Sequence, residues 1–275
     1  MGALDGLEVR HLPTEHVTGA QNMALDAIAG DRAADDGIAS VRVYGWEPST
    51  LSLGYAQDSE TIDWAFCDAE GIHVTRRPTG GGAIYHDAVG DISYSIVAPA
   101  DALPGNLMEC YRLLCEPVEL AFERMGVDVS FIDVERPGIH QPACYLRELH
   151  PSHDLVVPGK DGGRKISGNA QYRRRSAVIQ HGSLTFRLSP ERHLGCFTNH
   201  DVGPASFRDR VTAIEEQSSI TRSDAIACLE TTLREWAGAE LGNWTEGELD
   251  RADDLVERKF DAEEWVVHRT DPTEA

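Results

Sequence analysis

The stretch Arg76-Arg77-Pro78-Thr79-Gly80-Gly81-Gly82-Ala83-Ile84-Tyr85-His86-Asp87 sets two arginines and a histidine around three consecutive glycines. Glycine gives up more freedom on folding than any other residue, so such a run marks backbone that bends sharply or lets a ligand come close. Open backbone N–H groups beside guanidinium groups make a site for an anion. The competing reading is a glycine-rich hairpin with two solvated arginines. A second candidate is Lys165, in Arg164-Lys165-Ile166-Ser167-Gly168-Asn169-Ala170-Gln171. Lys160, Lys165 and Lys259 are the only lysines in a chain with 46 acidic residues. A buried lysine needs an anion beside it, because stripping water from an unpaired ammonium is expensive. Cys144 is a third candidate, although a lone cysteine is more often a small buried hydrophobe than a nucleophile. His86 and His181 are able to orient a substrate or exchange protons near neutral pH, and either is equally readable as a core histidine. The run Arg173-Arg174-Arg175 reads as a solvated face or as a patch for an acidic partner.

The elements that must position these groups follow from periodicity. His73 to Arg77 reads as a strand entering the glycine loop, Ala83 to His86 as the strand leaving it, and Asp91 to Val97 as an alternating strand. Glycines between strands exclude a P-loop or a dinucleotide fold, which need a helix directly after them. Upstream, Leu7 to Leu12 reads as an edge strand and Gln21 to Gly30 as a helix closed by its glycine. Ser40 to Trp46 and Thr50 to Tyr55 read as a hairpin turned by Glu47-Pro48-Ser49, and Asp63 to Glu70 as a short helix. Downstream, Asn106 to Met125 is an amphipathic helix. Val127 to Val134, Asp154 to Val157 and Ala177 to Phe186 are strands, with a turn over Pro158 to Gly163. Pro190 to Leu194, Ser223 to Ala237 and Glu246 to Phe260 are helical. No repeat or linker interrupts the pattern, which predicts an α+β fold whose mixed, mostly antiparallel sheet is flanked by helices. A single domain over residues 1–260 and a loose acidic tail over 261–275 are expected.

The net charge of -21 argues against nucleic acid or an anionic membrane as partner, both being polyanions. Abundant aspartate with little lysine resembles the composition of proteins from salt-loving organisms. Six cysteines without a CxxC pair give no support for a metal site. Scattered thiols, no signal peptide and no apolar run of ~20 residues point to a cytoplasmic protein.

The glycine segment resembles the signature of the lipoate-protein ligase A and octanoyltransferase family. The resemblance extends to Asn22-Met23-Ala24-Leu25-Asp26, to Gly45-Trp46-Glu47-Pro48-Ser49-Thr50-Leu51-Ser52-Leu53-Gly54-Tyr55, to the Lys165 segment and to Gln180-His181-Gly182-Ser183. It implies a fold shared with biotin-protein ligases and the transfer of a lipoyl or octanoyl group to a lysine ε-amine. The acceptors it implies are lipoyl carrier domains of 2-oxoacid dehydrogenases or the glycine cleavage H protein. Carried over, Arg77, Gly80, Gly81, Gly82, Ala83, Ile84, Tyr85, His86 and Asp87 would hold an acyl-adenylate. Gly168, Ala170, His181 and Gly182 would line the acyl substrate, and Lys165 would act at the acyl carbonyl and phosphate oxygens.

Two subfamilies compete within the resemblance. A ligase would use ATP with magnesium, and a glycine at position 82 favours it, since bacterial-type transferases carry arginine there and the phosphate pocket would stay open. A cysteine-dependent transferase would use Cys144, and Gly45-Trp46-Glu47-Pro48 favours that branch. The ligase is the leading expectation, with a possible accessory subunit in place of the C-terminal domain of larger ligases. A non-catalytic lipoate- or biotin-binding module is the remaining alternative.

Overall fold

Two short strands, Val9–His11 (β1) and Glu15–Val17 (β2), lead into the helix Gly19–Asp36 (α1). The structure, a computed structural model, describes residues 4, 6–132, 136–149, 153–159, 162–174 and 176–273. After α1 come strands Ala39–Trp46 (β3) and Thr50–Leu53 (β4), helix Trp64–Ala69 (α2), and strands His73–Arg76 (β5), Ile84–His86 (β6) and Asp91–Pro99 (β7). Helix Leu107–Arg124 (α3) precedes strands Ser130–Phe131 (β8), Asp154–Val157 (β9), Arg164–Arg173 (β10) and Ala177–Thr185 (β11). The chain then passes through helices Pro190–Gly195 (α4), Pro204–Arg208 (α5), Ile214–Gln217 (α6) and Arg222–Ala237 (α7). Strand Glu240–Leu241 (β12) and helices Glu246–Leu255 (α8) and Glu263–Val266 (α9) complete it.

The larger sheet runs β12-β1-β3-β7-β11-β10-β9-β8, with β2 also paired to β3. Its β3-β7-β11-β10-β9 centre is antiparallel. Side chains alternate across it. Val41, Val43, Ile92, Ile96 and Val178 share one core with Leu114 and Phe122 of α3 and Leu229 of α7. Tyr44, Trp46, Val97 and Ile179 share another with Met23, Leu25 and Ile28 of α1 and Ala252 of α8. Burying those three α1 side chains alone stabilises the fold by roughly 6 kcal/mol.

α1 runs past the expected stop at Gly30. Thr18 caps its N-terminus, accepting from the Gln21 amide, and Gly37 closes it at φ 72°. Gly30 marks a close approach instead: a Cβ there would sit 2.9 Å from Ile179 Cδ1 on the sheet. The expected hairpin of Ser40 to Trp46 with Thr50 to Tyr55 does not form. β4 leaves the large sheet to become the middle of a separate one, parallel to β5 and antiparallel to β6. The expected edge strand β1 is interior, because β12 covers its outer side.

The acidic tail is not loose as far as residue 273. Trp265 is only 3% exposed. Its indole N–H donates to the Arg76 carbonyl, while Arg76 Nε donates to the carbonyls of Trp265 and Val266. Arg76 therefore anchors the C-terminal segment instead of facing a ligand. Arg174 pairs with Asp31 at 2.8 Å, so this arginine is neutralised within its own chain; Arg175, Lys160 and the end of the expected strand at Val134 lie outside the described residues. No helix among the described residues is long and apolar enough to cross a membrane.

Candidate active site

Between the two sheets lies a cavity of about 400 Å³. The small sheet contributes Ser52, Ile84 and His86 together with Arg77, Gly80 and Gly81 of the glycine loop. The large sheet contributes Tyr44, Trp46, Lys165, Gly168, Asn169, Ala170, His181 and Gly182, and a connecting loop adds Cys144 and Arg147.

Lys165 is buried, and its ammonium sits 2.7 Å from Asp154 Oδ1. A break in the β9–β10 register between Lys165 and Ser167 aims the side chain. Gly168 pairs with Asp154 across the ladder, and its missing side chain makes the room: a Cβ there would lie 3.1 Å from both Lys165 Cε and Nζ. Burial pulls the Lys165 pKa down, but the charges of Asp154 and Cys144 outweigh it and raise it above the usual lysine value. Burial likewise pushes the Asp154 carboxyl up, and Lys165, with help from His153, holds it well below the usual carboxylate range. Lys165 is thus a fixed cation and not a proton acceptor.

The cation faces a thiol. Lys165 Nζ lies 3.6 Å from Cys144 Sγ and 3.5 Å from the Cys144 carbonyl oxygen. Cys144 is half-buried at the start of a 3-10 turn, Cys144–Leu146. It is a half-buried free thiol beside a buried ammonium.

The glycine loop shapes this corner. Arg77 is buried, and its two Nη atoms donate to the carbonyls of Ser52, Gly80 and Gly82 at 2.7–2.8 Å. Its guanidinium ties the loop together rather than pointing at a phosphate. Gly81 adopts φ 96°, open to glycine at little strain. At position 82 the expectation of an open pocket fails. A Cβ there would meet the Pro142 carbonyl oxygen at 2.6 Å, the Cys144 amide nitrogen at 2.9 Å and Arg147 Cδ at 2.9 Å. Glycine is needed so that Ala83 and Ala143 can pair, with the Ala83 amide donating to Pro142 and the Cys144 amide to Ala83. Gly82 therefore sets the position of the Cys144 loop. Gly82→Ala is expected to lower turnover by about 10–100-fold by moving that loop on the scale of an ångström, with the fold kept. Steady-state kinetics beside a thermal melt checks this, and unchanged turnover would remove Gly82 from the account.

Of the residues expected at a nucleotide, Arg77, Gly80, Gly81, Ile84 and His86 line the cavity, whereas Gly82, Ala83, Tyr85 and Asp87 do not. Tyr85 and Asp87 border a separate small pocket instead, and Tyr85 O–H donates to Asp87. Arg77 is engaged by backbone carbonyls, and four of the nine residues expected at a nucleotide do not reach the cavity. His86 is a buried positioning residue, stacked on Trp46 at 3.9 Å. Its Nδ1 faces Asp91 and its Nε2 faces Ser52 Oγ, both at 2.9 Å. Burial lowers its pKa against the opposing pull of Asp91, so the neutral ring donates from Nδ1 and accepts at Nε2.

All four residues expected at the acyl substrate, Gly168, Ala170, His181 and Gly182, line the cavity, as do Lys165 and Cys144. Sequence reasoning missed Asp154 and Arg147. The demand for an anion beside Lys165 pointed to a carboxylate, and the aspartate opening an otherwise apolar strand was its visible candidate. Arg147 follows Cys144 by three residues, the spacing that eclipses side chains in a 3-10 turn.

A half-buried thiol held against a buried ammonium, in a cleft partly walled by apolar rings, is chemically suited to acyl transfer. Residues 18–234 match the lipoyl protein ligase A/B catalytic domain, and the chain belongs to that family. It is 30% identical over 276 residues to the octanoyltransferase LipM of Exiguobacterium sp., covering 94% of this chain and 97% of that one. The LipM of Kyrpidia tusciae is 31% identical over 276 residues, covering 93% and 97%. Among solved structures, the bi-partite lipoate protein ligase of Thermoplasma acidophilum shares the fold at a TM-score of 0.77. It is 23% identical and covers 95% of this chain and 96% of its own. The protein is an enzyme of the octanoyltransferase and lipoate-protein ligase kind.

Proposed function

We propose that this enzyme is a cysteine-dependent octanoyl transferase, taking the acyl group from a thioester donor and passing it to a lysine of a lipoyl carrier domain. The observation that carries the proposal is the 3.6 Å approach of Lys165 Nζ to Cys144 Sγ in the cavity wall. The leading expectation from sequence, an ATP-using ligase, rested on an open pocket at Gly82, which the Cys144 loop and Arg147 fill. Octanoyltransferase relatives aligned over more than nine-tenths of the chain favour the same reading.

The chemistry runs in two balanced steps. The Cys144 thiolate attacks the donor carbonyl, the donor carbon–sulfur bond breaks, and the donor thiolate leaves to take a proton. The neutral ε-amine of the acceptor lysine then attacks the acyl-cysteine. The carbon–sulfur bond to Cys144 breaks, an amide forms, the amine releases its proton, and the thiolate is restored. Lys165 offsets the negative charge on sulfur before attack and on the carbonyl oxygen during both steps, and Asp154 keeps it charged and in place. The acceptor class proposed is the lipoyl domain of 2-oxoacid dehydrogenases or the glycine cleavage H protein. No accessory subunit is needed for these steps.

Purified protein is given an apo lipoyl domain with either octanoyl-acyl-carrier protein or lipoate and Mg-ATP, and the domain is weighed by mass spectrometry. A gain of one octanoyl group with the carrier protein is expected. A gain only with lipoate and Mg-ATP would return the enzyme to the ligase reading.

A further inference from the structure

Behind the active-site cavity lies a second one, of about 250 Å³. Among the described residues only two border both, Met23 of α1 and His181 of β11. Cys144, Lys165 and Asp154 border the first alone. Tyr44 and Trp46 line the first cavity and pack in the same core as Met23, so an acyl tail lying along those rings from a carbonyl at Cys144 meets Met23.

The two wall residues differ in how firmly they are held. His181 is fastened on both sides, with Nε2 2.8 Å from Thr79 Oγ1 and Nδ1 3.5 Å from Asp26 Oδ2. Asp26 is in turn held by Arg42 and Ser95. Met23 is 2% exposed and is an unbranched thioether kept in place by packing alone. Beyond it the second cavity offers apolar surface, including Ala27, Pro78, Ile179, Phe260 and Trp265. Its lining also includes the Lys259–Asp271 ion pair and Arg174.

We infer that Met23 is the stop that sets acyl-chain length, and that the second cavity is a closed-off extension of the acyl site able to take the end of a longer chain. The inference rests on the acyl-transfer reading above and names the residue that gives it length specificity. Shortening Met23 joins the two cavities. Each further buried methylene then favours binding by roughly fourfold.

The test measures binding of octanoate and dodecanoate by calorimetry, and transfer from octanoyl- and dodecanoyl-acyl-carrier protein, for wild type, Met23→Ala and Met23→Val. Wild type is expected to prefer octanoate. Met23→Ala should raise the dodecanoate-to-octanoate affinity ratio by about tenfold or more, with Met23→Val intermediate. The binding ratio is readable without turnover, and the valine variant guards against misfolding of the alanine one. An unchanged ratio in both variants overturns the length stop. A shifted binding ratio with no transfer from either donor keeps it and counts instead against the proposed reaction.

Discussion

Lys165→Met is expected to lower transfer by about three orders of magnitude and to destabilise the fold by roughly 3–5 kcal/mol at neutral pH. The catalytic loss follows because the ammonium 3.6 Å from Cys144 Sγ supplies fixed charge from a buried position. The stability loss follows because Asp154 is buried and loses its closest cation, 2.7 Å away. In wild type the Asp154 pKa is depressed, so its contribution is present above the unfolded carboxylate value and is lost only well below it. In Lys165→Met burial raises that pKa, so the destabilisation should be larger at pH 8 than at pH 5. Adding Asp154→Asn should recover stability without recovering activity, which separates the structural part of the pair from the catalytic part. Denaturant melts at both pH values, beside single-turnover transfer rates, check both halves. Equal destabilisation at both pH values would mean that Asp154 is not what Lys165 holds in check.

Cys144→Ser should be the opposite kind of variant, with transfer reduced on the order of 10⁴-fold and stability changed by no more than about 1 kcal/mol. The side chain is half-buried, and serine keeps its shape, so little packing is lost. The hydroxyl beside Lys165 has no comparable way to become an anion near neutral pH, so the nucleophile is gone. An ATP-using ligase would not notice the substitution. Full transfer by Cys144→Ser would therefore reject the covalent route.

Much of this site was legible in the chain because its residues carry their chemistry locally. Lys165 stands out in a chain so poor in lysine, and the glycines are visibly bracketed by strands. His181 and Gly182 sit on the strand read over Ala177 to Phe186, and the structure brings them to one wall with Gly168 of β10, a strand the sequence reading did not assign. What the chain alone misled about was contact across sequence distance. Gly82 looks like an opening until Pro142 and Cys144, some sixty residues on, are seen to occupy the space. The same holds for Arg76, which reads as half of an anion site but meets carbonyls from residues 265 and 266. Gly30 misled for a related reason, since a glycine that ends a helix and one that lets a helix touch a sheet look alike in sequence. The strand after Trp46 was placed correctly along the chain and in the wrong sheet, because alternation says which face is buried and not which neighbour it pairs with.

Intact-protein mass spectrometry of the enzyme itself reads the covalent step at Cys144. Incubated with octanoyl-acyl-carrier protein and no acceptor, wild type is predicted to gain one octanoyl group. That group should map to Cys144, be absent from Cys144→Ser, and disappear when an apo lipoyl domain is added. An enzyme that octanoylates the lipoyl domain from the same donor, yet never carries the group and works equally well as Cys144→Ser, transfers without a covalent step at Cys144.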